Sequence, residues 1–303
     1  MKSINNINNE TKKIPFFFTI DLEDISHDTL YNITGDKLIS VREKSIIKSY
    51  EKIKLLISDF FPNKKITFFT TAILAKKFPD ILKQISKDGH EIACQHYFHD
   101  KIFLKNRSDF SSELDLSIEA IEKACGQRPL GYRAPMFSIN KKECFWAYDE
   151  IFQRFQYDSS FIISNKNNKN IEDAKLILKK NLKSEFYIYE KKYFFNLIKV
   201  KAGGSFFRLF TKEIIKNTME DAYKNNYIPI IYLHPYDLLC NKEFWLKLSD
   251  FNNCSFSKKF LYWIKQNQWH SIGNKTVEKK LKYLSKYFDH SGKMCDYKFP
   301  KIL

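Results

Sequence analysis

The chain has 303 residues, 44% hydrophobic and 16% aromatic, enough to bury one large α/β core and too apolar for a disordered protein. Its net charge of +16 is carried by lysines scattered through a Lys-, Asn-, Ile- and Phe-rich sequence with no RNA- or DNA-binding motif. Nucleic acid is therefore not an expected partner, whereas peripheral attraction to anionic membrane surfaces or glycans is compatible with the charge.

No run of about 18 apolar residues occurs, so no transmembrane helix is expected. Residues 1–13 lack the apolar segment of a signal peptide and read as a polar tail, which gives a cytoplasmic expectation. Six dispersed cysteines (Cys94, Cys125, Cys144, Cys240, Cys254, Cys295) form no CxxC pair and read as thiols of a reducing compartment. The expected organisation is a catalytic domain over 14–275 and a helical tail over 276–303.

The first element is an apolar strand, PFFFTIDLED, from Pro15 to Asp24. Side chains alternate along a strand, so Asp21 and Glu23 share one side while Leu22 and Asp24 share the other. Paired carboxylates at the end of a buried strand need a cation or proton between them. That suits a metal site with a neighbouring general base; capping of a following helix by Asp24, Ser26 or Asp28 is the competing use. A polar loop follows, then helical spacing from Val41 to Phe61, closed by Pro62. A strand begins near Lys64, and short helices cover 73–78 and 79–88, the second ended by Gly89. A third strand starts at His90 and runs into the His96/His99 loop.

Helical spacing recurs over Ser112–Cys125 and Lys141–Phe155, with GYRAPMFSIN between them as a strand-to-loop passage and QYDSSFI after. Asn165–Ser184 is polar and reads as an insertion or lid. Strand-like runs are expected near Phe186–Tyr189 and Phe194–Val200, then a turn at KAGGSFFRLF and a helix over Lys212–Lys224. The last convincing strand is YIPIIYLHPYDL, with a mainly helical remainder. Strands alternating with helical patterns predict a parallel α/β sheet or barrel.

Polar clusters fall at the strand ends: Asp21/Glu23, His96/His99, Arg133 and His234/Asp237. Taken in order, TIDLED, GHEIACQHYFHD, GYRAPMFS, QYDSS, AGGSFFRLF and LHPYDL resemble the polysaccharide deacetylase (NodB-homology, carbohydrate esterase family 4-like) family. The D-x-E-D form of the first motif is most similar to the family's cytoplasmic branch.

The resemblance implies a distorted (β/α) barrel of about seven parallel strands and one divalent metal, most often zinc. It implies Asp21 as catalytic base, Glu23 as metal carboxylate, Arg133 as the arginine that orients the base and His234 as the acid. Tyr97, Pro135, Phe137 and Asp237 are candidates for substrate contact. The family's second motif carries histidines four apart. His99 matches the second of them, while the first position is Gln95, a poor zinc ligand beside imidazole. His96 is the preferred replacement; ligation by the Gln95 carbonyl oxygen, or loss of the metal and of hydrolysis, are the alternatives.

The activity implied is metal-dependent removal of an N-acetyl group from a sugar in a cell-surface polysaccharide precursor. A C–N hydrolase of small cyclic amides or ureides, or a non-catalytic glycan-binding relative, are the other readings.

Overall fold

The computed structural model describes residues 12–24, 43–139, 142–164, 186–239, 245–251 and 255–298. Most of the polar N-terminal tail, the loop after Asp24, the 165–184 insertion, Cys240 and Cys254 lie outside these residues.

The first strand, β1, spans Ile14–Leu22 and carries the whole sheet. Its last four residues pair with β2 (Thr67–Thr70), and β3 (Glu91–Cys94), β4 (Gly131–Tyr132) and β5 (Tyr157–Asp158) follow outward. On its other edge β1 pairs with β9 (Ile230–Leu233). All of these pairings are parallel. A small second sheet of β6 (Ile162–Ile163), β7 (Ile188–Tyr193) and β8 (Ile198–Lys201) follows β5. A bridge from Gly203 to Tyr232 then returns the chain to β9, completing a distorted barrel. Only glycine fits at 203, because a Cβ there would sit 2.3 Å from the Tyr232 ring.

Helices cover the outside: α1 (Glu43–Phe60), α2 (Ala72–Lys77), α3 (Pro79–Lys87), α4 (Arg107–Cys125) and α5 (Trp146–Arg154). After β8 come α6 (Gly204–Leu209) and α7 (Lys212–Lys224), then α8 (Pro235–Leu238), α9 (Phe256–Ser271) and α10 (Val277–Leu284). The expected helices are present; α4 begins five residues earlier than its apolar spacing suggested, because the Asn106 side chain accepts the Asp109 N–H at 2.8 Å as an N-cap. Gly126, in the left-handed conformation, ends it as expected.

The parity of β1 divides the core in two. Phe16, Phe18, Ile20 and Leu22 pack outward against the helices. Phe17 points into the barrel with Phe69, Ala93, Tyr157 and Tyr232. Thr19, Asp21 and Glu23 continue the inward row, which is how the alternation delivers both carboxylates to one place.

Three expectations change. The second strand of the β7–β8 pair begins at Ile198, so Phe194–Leu197 form the hairpin turn. KAGGSFFRLF, expected as a turn, contains α6. The 276–303 segment, expected to be helical, contributes β10 (Phe288–His290), parallel to Ile14–Phe16. Three residues give no periodic signal, but the first half of β1 needs a partner that β2 is too short to supply. Phe288 and His290 pack on the Phe16 ring at 6.1 and 5.6 Å.

His290 and His90 are both buried, and both accept a backbone N–H at Nδ1: Phe18 donates to His290 and Ile66 to His90, each at 3.2 Å. The neutral form is required by this geometry, and burial pulls both imidazoles down to about 4. Between the ordinary value of 6.5 and about 4 the unfolded chain takes up protons that the folded chain refuses. Stability is thus complete above pH 6.5 and falls as pH drops through that window, by on the order of 3 kcal/mol per imidazole. Urea unfolding followed across this range is expected to show the loss, and His290→Gln to flatten part of it. An unchanged slope in the variant would exclude His290 as a source.

Candidate active site

Asp21 and Glu23 line a cleft of about 340 Å³ with Gln95, His99, Phe137 and His234. Donor atoms of Asp21, Glu23 and His234 lie within 4.8 Å of one another. The His234 Nε2 atom is 4.0 Å from Asp21 Oδ2 and 3.8 Å from Glu23 Oε2.

Arg133 follows β4 and is completely buried. Its guanidinium pairs closely with Asp21 Oδ1, donates to Thr19 Oγ1 at 3.0 Å and to Ser159 Oγ at 2.9 Å, and lies over the Phe69 ring at 3.9 Å. The QYDSS segment is the scaffold for this cation. Ser160 Oγ donates to Asp158 at 2.5 Å and accepts the Ala134 N–H at 2.7 Å, fixing the strand end that carries Arg133. That bond also commits the Ala134 N–H.

Burial raises the Asp21 carboxyl above the ordinary carboxylate range, with Arg133 and His234 opposing it. Arg133 by itself would hold the carboxyl low; the enclosed barrel interior supplies the larger effect. Burial would raise Glu23 as well, but the charges of His99 and His234 and hydrogen bonds from His99 and Gln95 hold it at about 2. His234 is pushed up to about 9: burial opposes its charge, and Glu23, Asp237 and Asp21 together outweigh burial. It is a cation at neutral pH.

His234 is itself held from behind. Its Nδ1 lies 2.8 Å from Asp237 Oδ2, whose other oxygen is 2.6 Å from Arg208 Nε. The Tyr236 ring stacks on the imidazole at 4.8 Å. Asp237, expected as a substrate contact, is fully buried and positions His234 instead. The i,i+3 spacing of His234 and Asp237, with Asp237 accepting the His234 N–H at 2.8 Å, is a capping arrangement that the H-P-x-D spelling already contained. Arg208 was missed because a buried arginine inside SFFRLF has no periodic signature.

The metal-side expectation divides. Gln95 Nε2 donates to Glu23 Oε1 at 2.6 Å, and His99 Nε2 is 2.9 Å from the same oxygen. His96, expected as the replacement ligand, faces the other way. Ile92 and Cys94 point toward the helices and Ala93 into the barrel, so Gln95 inherits the inward side and His96 the outward one. The His96 imidazole stacks on Phe110 at 5.0 Å and meets Glu113 Oε2 at 2.7 Å, with the backbone at φ 70°.

Tyr97 and Pro135 are not among the residues lining the cleft; the Tyr97 hydroxyl accepts from Lys76 at 2.7 Å. Phe137 does line it, beside Phe206, Tyr232 and Tyr236, which the sequence reading did not single out.

The fold and site define a parallel α/β barrel whose strand ends gather paired carboxylates, histidines and a buried arginine in one cleft. Residues 62–148 match the family model described as polysaccharide deacetylase. This match and the ordered motifs make the chain similar to the polysaccharide deacetylase (NodB-homology) family. A peptidoglycan-N-acetylglucosamine deacetylase of Bacillus cereus is 30% identical over 95 residues, 31% of this chain and 34% of the relative. A peptidoglycan deacetylase-like protein of Gibberella zeae is 32% identical over 77 residues, 25% of this chain and 23% of the relative. The chain thus spans about a third and under a quarter of the length of these two relatives. Among solved structures, a carbohydrate esterase family 4 pseudoenzyme of Bacillus anthracis is 12% identical, with a TM-score of 0.41 over 93% of this chain and 64% of that one. That likeness is too distant to bear on residue roles. No helix among the described residues is long and apolar enough to cross a membrane.

Proposed function

We propose that the protein hydrolyses the N-acetyl group of a sugar in a cell-surface polysaccharide precursor. The observation that carries the reading is the convergence of Asp21, Glu23 and His234 within 4.8 Å at a cleft wide enough for a sugar ring. A cytoplasmic setting accords with Cys94, Cys125, Cys144 and Cys295, the described cysteines, all being free thiols.

The donor set fits a divalent cation. Gln95 Oε1 is buried with no hydrogen-bond partner while its Nε2 is fixed on Glu23, so an oxygen donor sits beside the Glu23 carboxylate and His99. Glu23, His99 and Gln95 would hold the ion, zinc in our reading. When bound it would polarise the acetyl carbonyl and acidify a water. Asp21, raised in basicity by burial, takes a proton from the attacking water. His234, charged at neutral pH and held by Asp237, gives a proton to the departing nitrogen. Phe137, Phe206 and Tyr236 offer aromatic faces to a sugar.

Release of acetate from N-acetylated glucosamine oligomers, compared with ring opening of cyclic ureides to the carbamoyl acid, both in the presence of zinc, tests the reaction class. Acetate alone supports the proposal. Ureide turnover alone would replace it, and glycan binding without either product would make the chain a non-catalytic relative.

Metal content separates the two histidines. His99→Ala is expected to lower zinc affinity by at least about 10-fold, since one of three donors is lost. His96→Ala is expected to keep the metal and lose on the order of 2 kcal/mol of stability, through the lost Phe110 stack and the lost bond to Glu113, which Lys105 still holds at 2.7 Å. Equal metal loss in both variants, measured on folded protein, would put His96 back among the ligands.

A further inference from the structure

The β7–β8 hairpin ends in an apolar tip that the molecule leaves uncovered. Phe195 is 99% exposed, Leu197 83% and Phe194 62%, with Ile198 exposed behind them. Two phenylalanines and a leucine standing together in solvent mark an interaction site. Phe194, Phe195 and Asn196 all have positive φ (50°, 54° and 73°), which is costly for phenylalanine and holds both aromatic residues in a strained turn.

The two strands below this tip are basic. Residues 188–201 contain Lys191, Lys192, Lys199 and Lys201 against a single glutamate, Glu190. Lys191 is 3.3 Å from Asp221, and Glu190 is shared between Lys199 at 3.4 Å and Lys201 at 3.3 Å. Lys192 and Lys199 are direct cross-strand partners. Like charges placed opposite each other weaken a hairpin; Glu190 offsets Lys199 while Lys192 forms no ion pair among the described residues, so an anion from outside would complete the pair. Beyond the lysine pair each strand runs one more residue, Tyr193 and Ile198, before the apolar turn, so the tip leads and the lysines follow. That order lets an apolar tip enter the acyl boundary of a bilayer while lysines stay among the headgroups.

We infer that the β7–β8 hairpin is a membrane-docking finger, which inserts Phe194, Phe195 and Leu197 into an anionic lipid bilayer with Lys192 and Lys199 on the headgroup phosphates. The tip lies outside the cleft residues, so this docking does not rest on the catalytic reading. A partner protein with an acidic groove, or a second copy of the chain, would need shape complementarity to a tip that is strained and convex; a fluid anionic surface accepts it without any.

The test is co-sedimentation of the full chain with phosphatidylcholine vesicles, with and without about one third phosphatidylglycerol. Binding is expected to the anionic vesicles, to weaken with added salt, and to fall by about 10-fold or more in Phe195→Ser/Leu197→Ser and in Lys192→Glu/Lys199→Glu. Circular dichroism and the urea midpoint should remain those of the parent, because the tip side chains are in solvent. Four results would overturn the inference: no vesicle binding, equal binding to uncharged vesicles, parental binding by both variants, or a tip-dependent dimer in solution that fails to bind vesicles.

Discussion

Asp21→Asn is expected to lower turnover by about 10²- to 10⁴-fold, the range typical of removing a general base, while leaving bound metal unchanged. The amide keeps the size of the carboxylate and still presents an oxygen to Arg133, so the shape of the cleft persists. It cannot accept a proton from water. Because Asp21 shares the inward face of β1 with Glu23 but is tied to Arg133, removal of its charge acts on proton transfer and spares the Glu23, Gln95 and His99 donors. The variant leaves Arg133 without its counter-charge, so some loss of stability accompanies it, and activity must be read on protein shown to be folded. Acetate release within a few-fold of the parent would remove Asp21 from the proposed role; zinc lost along with activity would make it a ligand.

The barrel was legible because its strands alternate with amphipathic helices, and β1 is dense enough in Phe and Ile to be recognised as central. The placement of Asp21 and Glu23 on one side followed from period-two geometry alone. The same rule, applied to Glu91–His96, would have corrected the metal site: Ile92, Cys94 and His96 form the outward series, and Ala93 and Gln95 the inward one. Chemical preference for imidazole over amide favoured His96, and backbone parity decided against it. Asp237 and Arg208 were harder to read. Their contribution is a buried ion pair behind His234, formed between a capping position and a short helix, and no local pattern reports a contact between residues 29 apart in sequence. The exposed hairpin tip was read as strand because Phe, Leu and Ile fit a buried strand equally well; only the register of Tyr193 with Ile198 shows the residues between them to be a turn.

Arg133→Met carries the other large expectation, a loss of about 3 to 5 kcal/mol of folding stability at neutral pH. Arg133 is fully buried, so its favourable contacts with Asp21, Thr19, Ser159 and the Phe69 face stand against a heavy desolvation penalty. Methionine fills much of the same volume beside Phe69 and removes the charge. What remains is a buried Asp21 carboxylate offset by His234 at 4.0 Å but no longer by a paired guanidinium, and that under-compensated charge is the source of the loss rather than the missing pair. The distinction is measurable. In Arg133→Met the Asp21 carboxyl, already raised by burial, rises further, so the deficit relative to the parent should shrink as pH falls and the carboxyl takes up its proton. The double variant Asp21→Asn/Arg133→Met should recover most of the loss at neutral pH, because neither charge is then left in the barrel. Additive losses in the double variant would mean that Asp21 and Arg133 are not energetically coupled and that the barrel interior solvates each charge without its partner. Recovery of stability without recovery of turnover would show that this ion pair is kept for the chemistry of the cleft, at the expense of the fold.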